Sequence, residues 1–310
     1  MFCTITTIDE SPLKPGIIWA GTDDGKVHVT SDSGSHWDEI TDNLIRSGAP
    51  GDMWVSRIVA SSHKKNRTFV TKSGYREDVF KPYIYRTDDM GKTWKNISGN
   101  LPDSPISVIY EDKVNENLLF VGNDTGVFFT ISGGDKWFPL KNNMPPVPVR
   151  DLLIHPRDKD LVVGTYGRGV WVTNISPLQE MNTELLKKKI YLFNIQSRPV
   201  QITSPRAWWG NYHMTGDAHI RTENEKGGLN IYFYASDTLK KPMELIVSDM
   251  EGKEINRKKI RSSGGIQKIN WNSPSKKAGF YKFTIKSGKY KITKTGELKR
   301  GLIWPLYFPK

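Results

Sequence analysis

The sequence contains one cysteine, Cys3, among its 310 residues. One thiol excludes a disulfide within the chain and a zinc site built from several cysteines. No apolar run reaches the roughly 18 residues that a transmembrane helix needs. The first residues, MFCTITTIDESP, lack the basic and apolar regions of a signal peptide. These absences leave the compartment open, because disulfide-free secreted proteins are common.

The sequence also lacks the patterns of most catalytic and metal sites. Its histidines show no i, i+4 pair and no metal-ligand spacing, and neither a phosphate-binding glycine loop nor a G-x-S-x-G element occurs. No two carboxylates are paired as glycoside hydrolysis requires, and the arginine triad and Tyr–Glu pair of sialidases are not recognisable. We therefore predict no metal and no cofactor. Enzyme activity is uncertain, and its absence is favoured for this chain alone.

Charge divides the chain into two parts. The formal net charge is +12, with −2 in residues 1–178 and +14 in residues 179–310. Such asymmetry indicates two modules with different surfaces.

The first part repeats one pattern about four times. The copies cover residues 4–41, 54–98, 106–140 and 149–174, and the fourth stops before its last turn. A period near 40 residues with several short strands per copy is typical of four-stranded propeller blades. The second copy carries an insertion around Gly74 to Lys81, predicted to be a longer loop.

Three copies end in a turn with the pattern Ser/Thr-x-Asp-x-Gly-x-x-Trp. Its residues are Thr30, Asp32, Gly34 and Trp37; then Thr87, Asp89, Gly91 and Trp94; then Thr130, Ser132, Gly134 and Trp137, where Ser replaces Asp. The Asp or Ser side chain can accept backbone N–H groups of the turn, and Gly supplies a positive φ. The Trp is expected to pack under the hairpin. We predict a structural role for all of these residues.

This turn resembles the Asp-box of sialidases, sortilin-type propellers and BNR-repeat proteins. The similarity extends to bacterial glycosyl-hydrolase-like BNR-repeat or sortilin N-terminal-domain proteins through GIIWAGTDDGKVHVTSDSG, SRIVAS, FKPYIYRTDDMGKTW, PPVPVRDLLIHPRDKDLVVGTYGRGVW and ISPLQEM. It covers nearly the whole chain, more weakly after residue 200. Tyr166 departs from these relatives, which more often have His. The resemblance implies a secreted or envelope-associated bacterial protein whose Asp-boxes lie on the propeller rim, away from the channel.

Four blades are few for a closed ring, since typical propellers have 4–8. The chain also begins inside a blade. We therefore expect the C-terminal part of a longer protein. Two alternatives remain: four blades that close alone, or two chains that join open sheet edges.

Candidate ligand-binding residues lie on the inner strands and on the loops after the second strands. Aligning the inner strands places Thr7, Arg57, Val108 and Asp151 at equivalent positions, with Arg150 adjacent. The loops carry Asp23, Asp24, Asn123, Asp124, Tyr166 and Arg168. The ligand-binding candidates are Arg57, Arg150, Asp151, Tyr166 and Arg168. The alternatives are a structural ion pair between blades for Arg57 and Asp151, a salt bridge to a neighbouring blade for Arg168, and ordinary β-turn chemistry for the acidic loop residues.

The second part is predicted to be a connector followed by a sandwich. The blades end at residue 176, the connector covers 177–212 with a short helix over 178–188, and a basic immunoglobulin-like sandwich covers 213–310. Its strands are predicted over 229–236, 242–249, 253–260, 266–272, 279–288 and 289–296. Trp208 and Trp209 either pack against neighbouring structure or stack on a sugar. The lysines either form solvated strand faces or bind a polyanion.

The fold class is therefore all-β: a partial Asp-box propeller of about four blades, then a small immunoglobulin-like sandwich. The favoured function is a non-catalytic scaffold or binding module with a protein or glycan ligand, from an extracellular, periplasmic or envelope protein. One alternative is a glycoside-hydrolase-like enzyme whose site lies partly on missing blades, and another is polyanion binding through the basic domain. Other expected partners are the missing N-terminal blades or a second copy, whereas nucleic acid is disfavoured.

Overall fold

The computed structural model describes residues 4–141, 143–203, 226–239, 241–261 and 263–303. The chain divides into two compact units, Met1–Thr183 and Glu184–Lys310. Cys3 and the Trp208-Trp209 pair lie outside the described residues. The domain boundaries at 176 and 212 stay predictions.

Four antiparallel sheets follow one another in the first unit, and each joins its strands in chain order. Blade 1 contains β1 (Ile5–Glu10), β2 (Ile18–Thr22), β3 (Val27–Thr30) and β4 (Asp38–Glu39). Blade 2 contains β5 (Trp54–Ala60), β6 (Thr68–Gly74), β7 (Val79–Thr87) and β8 (Lys95–Asn96). Blade 3 contains β9 (Ile106–Glu111), β10 (Leu119–Asn123), β11 (Gly126–Thr130) and β12 (Phe138–Pro139). Blade 4 contains β13 (Val149–His155), β14 (Asp160–Thr165) and β15 (Val170–Asn174).

The blades pack on one another through apolar residues on both faces of their strands. One core joins Trp19 and Val29 of blade 1 to Val55 and Trp94 of blade 2. A second core joins blade 2 to blade 3. Strands such as β6 and β10 are buried along their whole length, as strands between two layers must be.

Short helices connect these elements. They are α1 (Thr41–Arg46), a 3-10 turn at Tyr75–Glu77, α2 (Ser176–Glu180) and α3 (Thr183–Leu186). The 3-10 turn occupies the insertion predicted as a loop.

The single helix predicted over 178–188 is wrong. Two short helices stand there instead, because Met181 adopts an extended conformation with φ −70° and ψ 139°. The amide of Asn115 holds it there by donating to Gln179 O at 3.3 Å and Met181 O at 3.1 Å.

The helix α2 takes the place of the absent fourth Asp-box. Thr173 on β15 is the counterpart of the Asp-box residue Thr30, because it pairs with Leu161 as Thr30 pairs with Ile18. Helix α2 begins three residues after Thr173. Gln179 Nε2 then donates to Asp112 Oδ2 of blade 3 at 2.6 Å. The fourth copy therefore uses a helix to contact the preceding blade.

The second unit is a β-sandwich. Its three-stranded sheet contains β16 (Ile190–Leu192), β19 (Leu229–Ala235) and β22 (Gly265–Trp271). Its five-stranded sheet has the order β17 (Arg198–Pro199), β24 (Tyr290–Lys299), β23 (Gly279–Ser287), β20 (Met243–Ser248), β21 (Glu254–Ile260). The short strands β18 (Ile202–Thr203) and β25 (Leu302–Ile303) pair in parallel. One apolar core lies between the larger sheets, with Trp271 edge-on to Tyr281 and Phe283.

These sheets confirm the predicted all-β class, a partial propeller followed by a small sandwich. Among the described residues, no helix is long and apolar enough to cross a membrane.

Candidate functional site

A β-bulge near the start of each inner strand directs side chains between the blades. The register shifts skip Thr6 in β1, Ser56 in β5, Ser107 in β9 and Arg150 in β13. Bulges of this kind re-aim side chains and are common next to functional sites. The four bulge residues are structurally equivalent, and only the last is charged.

Two bulge hydroxyls join neighbouring inner strands. Thr6 Oγ1 donates to Val55 O of blade 2 at 2.7 Å, and Ser56 Oγ donates to Ile106 O of blade 3 at 2.6 Å. These bonds fix the spacing of the inner strands at the end where each strand begins.

Arg57 and Asp151, each one residue past a bulge, form an ion pair. Arg57 Nη2 lies 2.8 Å from Asp151 Oδ1, and the bond reaches from blade 2 to blade 4 past the inner strand of blade 3. The Asp151 carboxylate is largely exposed and the guanidinium is about one-third exposed. The pair is therefore open to exchange with a ligand.

Arg150 connects blade 4 to blade 3. Its Nη1 donates to Ser107 Oγ at 3.0 Å and lies 3.4 Å from Asp124 Oδ1. Its guanidinium also lies over the ring of Tyr166, 5.8 Å from the centroid. The Tyr166 ring is exposed, and its backbone N–H donates to Pro148 O at 2.8 Å.

Buried hydrogen-bonding capacity is left unused at this end of the blades. Arg57 Nε and Asn123 Nδ2 are buried and make no hydrogen bond within the described part of the chain. Asp124 Oδ1 is also buried and makes only the 3.4 Å ion contact with Arg150 Nη1. Asn123 is fully buried, and its Oδ1 accepts from Thr125. Native structures leave few buried polar atoms unpaired, so these atoms mark an incomplete hydrogen-bond network beside the inner strands.

The remaining loop candidates do not join this cluster. Asp23 accepts the Thr4 N–H at 2.9 Å and so ties its loop to the start of β1, whereas Asp24 closes its own turn by accepting a hydrogen bond from Thr22 Oγ1. Arg168 is exposed, and its guanidinium makes no ion pair with any described residue; its backbone carbonyl accepts from Trp171 Nε1 at 3.0 Å.

The Asp-box turns form a repeated hydrogen-bond network. Thr87 Oγ1 donates to Asp89 Oδ1 and accepts from Gly91 N, and Asp89 accepts from both N and Oγ1 of Thr93. Asp32 is held similarly, and bonds from the backbone and ring of His36 keep the pKa of Asp32 below its usual range. In the third turn Ser132 Oγ accepts from Lys136 N at 3.2 Å. The glycines have φ of 91°, 79° and 103°.

The three Asp-box tryptophans differ in burial, although the Trp37 ring lies against Gly34 of its own turn as expected. Trp94 and Trp137 are buried against blades 1 and 2, with Trp94 edge-on to Trp19 and Trp137 Nε1 donating to Ile97 O at 2.8 Å. Trp37 is 42% exposed. Trp94 and Trp137 each pack on the preceding blade, whereas no described residues form a blade before blade 1.

Sequence reasoning missed Lys72, which is fully buried on β6. Its ammonium donates to three carbonyls, Gly25 O at 2.8 Å, Pro50 O at 2.6 Å and Gly51 O at 3.1 Å. Burial lowers the pKa of Lys72 to about 8, although the nearby Asp52 and Asp24 oppose the shift. These acceptors come from the turn of blade 1 and the chain after α1, so Lys72 joins blades 1 and 2.

Sequence reasoning also missed Glu111, a buried carboxylate and the last residue of β9. It accepts from Ser61 Oγ at 2.9 Å and from Ser62 N at 2.7 Å. Burial raises the pKa of Glu111 despite these bonds. Among the described residues, no three His, Cys, Asp or Glu side chains are grouped as metal ligands.

Comparisons with known proteins indicate no family for this chain. Neither a family model nor a curated protein matches the sequence. Similar solved structures include YCF48 from Cyanidioschyzon merolae, with 18% identity and a TM-score of 0.39 over 55% of this chain and 56% of that one. An ancestral GH74 enzyme has 11% identity and a TM-score of 0.45 over 94% of this chain and 40% of that one. The extracellular domain of a putative hybrid two-component system from B. thetaiotaomicron has 14% identity and a TM-score of 0.42, over 96% and 38%.

This chain thus spans 56% of the YCF48 chain and 40% or less of the other two. At these identities and TM-scores, none of the three identifies a site or an activity for this chain.

Proposed function

We propose that this chain is a non-catalytic binding module whose ligand, a protein or glycan, sits where the inner strands begin. The residues that contact it are Arg57, Arg150, Asp151 and Tyr166. The solvent-open Arg57–Asp151 ion pair, with Arg150 and the exposed Tyr166 ring on the same blade as Asp151, is the observation that carries this proposal. A carboxylate ligand can replace Asp151 on the Arg57 guanidinium at modest cost, because a solvent-exposed ion pair is worth only about 1 kcal/mol or less.

The chemistry of the cluster favours a ligand with carboxylate groups. Two guanidinium groups present planar forks of N–H donors, which match carboxylates in a bidentate manner. The exposed Tyr166 ring adds an apolar face that a sugar ring or an aliphatic side chain can cover. An acidic oligosaccharide or an acidic peptide segment meets both requirements.

Binding is favoured over glycoside hydrolysis by the environment of the carboxylates. A catalytic carboxylic acid needs a desolvated site that raises its pKa. Asp151 is largely exposed, and both Asp151 and Asp124 lie beside arginines. The alternative of an enzyme with its site partly on other blades therefore ranks second.

Calorimetric titration tests the proposal with three probes: an oligogalacturonide, poly-L-glutamate and the neutral cellohexaose. We expect one of the acidic probes to bind. Arg150→Gln should weaken binding about tenfold or more, the loss expected for one charge-assisted hydrogen bond. Arg157→Gln is the matched control, because Arg157 is exposed and pairs with Asp158 on a distant turn. No binding of an acidic probe, or equal loss in both variants, would contradict the proposed site. Release of reducing ends from any glycan would contradict the non-catalytic assignment.

Polyanion binding by the sandwich is the third candidate, supported by a row of lysines. Lys286 lies directly across β23–β24 from Lys291, and Glu244 stands between Lys286 and Lys259. Like charges directly opposite one another destabilise a sheet, and a polyanion would relieve that repulsion. The three lysines are exposed.

Heparin chromatography at low salt tests this candidate. The triple variant Lys259→Gln, Lys286→Gln, Lys291→Gln should elute at clearly lower salt than a control with the same charge loss in the first unit, Lys14→Gln, Lys65→Gln, Lys92→Gln. Equal elution of the two variants would reject a specific role for the row.

A further inference from the structure

Adjacent blades meet through equivalent positions, two on the inner strand and, where the blade has an Asp-box, its tryptophan. We define the front face of a blade as the side that contacts the preceding blade and the back face as the side that contacts the following one. The front positions are Val55, Ile58 and Trp94 in blade 2 and Ile106, Ile109 and Trp137 in blade 3. All six are at most 8% exposed. In blade 4 the two strand positions are Val149 and Leu152, at most 4% exposed.

The front face of blade 1 carries the same residue types but is uncovered. Strand register makes Ile5, Ile8 and Trp37 the counterparts of these residues. Ile5 and Ile8 are each 61% exposed, and Trp37 is 42% exposed. Large apolar side chains clustered on one face mark an interaction surface. This face is therefore built to receive the back face of another blade.

The back face of blade 4 is the complementary uncovered surface. Val170 is 67% exposed, whereas its counterparts Val27, Ile84 and Val127 are at most 2% exposed. Val172 and Leu153 lie on the same side and are 61% and 54% exposed. The chain thus carries both halves of one more blade-to-blade interface, and they do not meet within it.

We infer that a second copy of this chain covers both faces, so that blade 4 of each copy packs on blade 1 of the other. The same two-fold arrangement buries both apolar faces at once and leaves no open end, as closed symmetry requires. Eight blades result, within the usual range of closed propellers. The contact repeats the interface that already joins blades 1, 2, 3 and 4. Both of its surfaces, the front face of blade 1 and the back face of blade 4, belong to this sequence.

Close approaches between blades predict which residues meet across the new contact. A Cβ placed on Gly21 would lie 2.8 Å from Val55 Cβ, and one placed on Gly122 would lie 2.9 Å from Val149 Cβ. Gly164 is the equivalent residue of blade 4, and there a Cβ would meet only Asp151 of its own blade at 3.6 Å or more. In the two-copy ring Gly164 of one copy faces Ile5 of the other.

Cross-linking with a short thiol-specific bismaleimide tests this contact directly. In a Cys3→Ser background, the double variant Ile8→Cys, Val170→Cys brings one cysteine of each copy within reach of the reagent only if copies pack as inferred, because their counterparts Ile58 and Val27 lie in one core between blades 1 and 2. Ile8 and Val170 are both exposed in the single chain, so the variant should fold. We expect most of the chain to run at twice its mass on a denaturing gel after treatment. The two single-cysteine variants should remain unlinked. An unlinked, folded double variant, or equal linking of a single variant, would overturn the inference.

Discussion

Lys72 shows how much one buried charge can determine. Its ammonium is surrounded by three carbonyls from blade 1 and the following chain, with no exposed surface. In the folded chain its pKa is about 8, against 10.5 for an ordinary lysine. Between these pH values the unfolded chain binds a proton at Lys72 that the folded chain does not. The free energy of unfolding therefore rises with pH across this window.

We predict that Lys72→Met removes this rise. The wild type should gain about 2 kcal/mol between pH 8 and 10 relative to the variant, since a tenfold change in proton affinity corresponds to about 1.4 kcal/mol. The variant should also be less stable at neutral pH by about 1–3 kcal/mol, because three carbonyls lose their donor. Urea unfolding of both proteins at several pH values measures this. Parallel pH curves for the two proteins would show that Lys72 keeps its ordinary pKa when folded.

Single residues were predictable where their role is local. The Asp-box residues repeat at fixed spacing, and the side-chain hydrogen bonds of their Thr, Asp and Ser residues run within four residues. Lys72 was not predictable, because TFVTKSG gives no sign that carbonyls near residues 25 and 50 surround its ammonium. Alignment of the inner strands placed Arg57 and Asp151 at one level and offered an ion pair between blades as one alternative. The structure contains that pair, which reaches past the inner strand of blade 3.

The interface between blades explains why two tryptophans of one motif should differ. We predict that Trp94→Ala lowers the free energy of unfolding by about 3–5 kcal/mol, the usual cost of removing a buried Trp. Trp37→Ala should cost about 1 kcal/mol or less when the protein is dilute and monomeric, because that side chain has no covering blade. Equilibrium denaturation monitored by circular dichroism compares the two, and similar losses would mean that Trp37 is covered in the single chain.

Strand positions were predicted well because turns and apolar alternation define them. The predicted strand over 229–236 is Leu229–Ala235, and that over 279–288 is Gly279–Ser287. The break between α2 and α3 was not predictable, since it depends on Asn115, some 65 residues earlier in the chain. The exposure of Trp37 likewise depends on which blades are neighbours, and the turn sequence itself carries no such information.

At the scale of the whole molecule, the described blades form an open arc. The repeat predicted four blades and left open whether they close on themselves. Exposure of Ile5 and Ile8 at one end and of Val170 and Val172 at the other shows that blades 1 and 4 do not pack together within the chain. The four-blade closed ring is therefore excluded for the single chain.

Static light scattering of the wild type over a concentration series tests the account most directly, with Ile8→Glu as the disrupting variant. Val114→Glu is the matched control, because Val114 is 64% exposed but lies on a turn of blade 3 away from both end faces. We predict a mass twice the 35.3 kDa of the chain for the wild type and the control, and the single-chain mass for Ile8→Glu, with unchanged circular dichroism. A folded wild type that stays at 35.3 kDa at every concentration would contradict the two-copy ring.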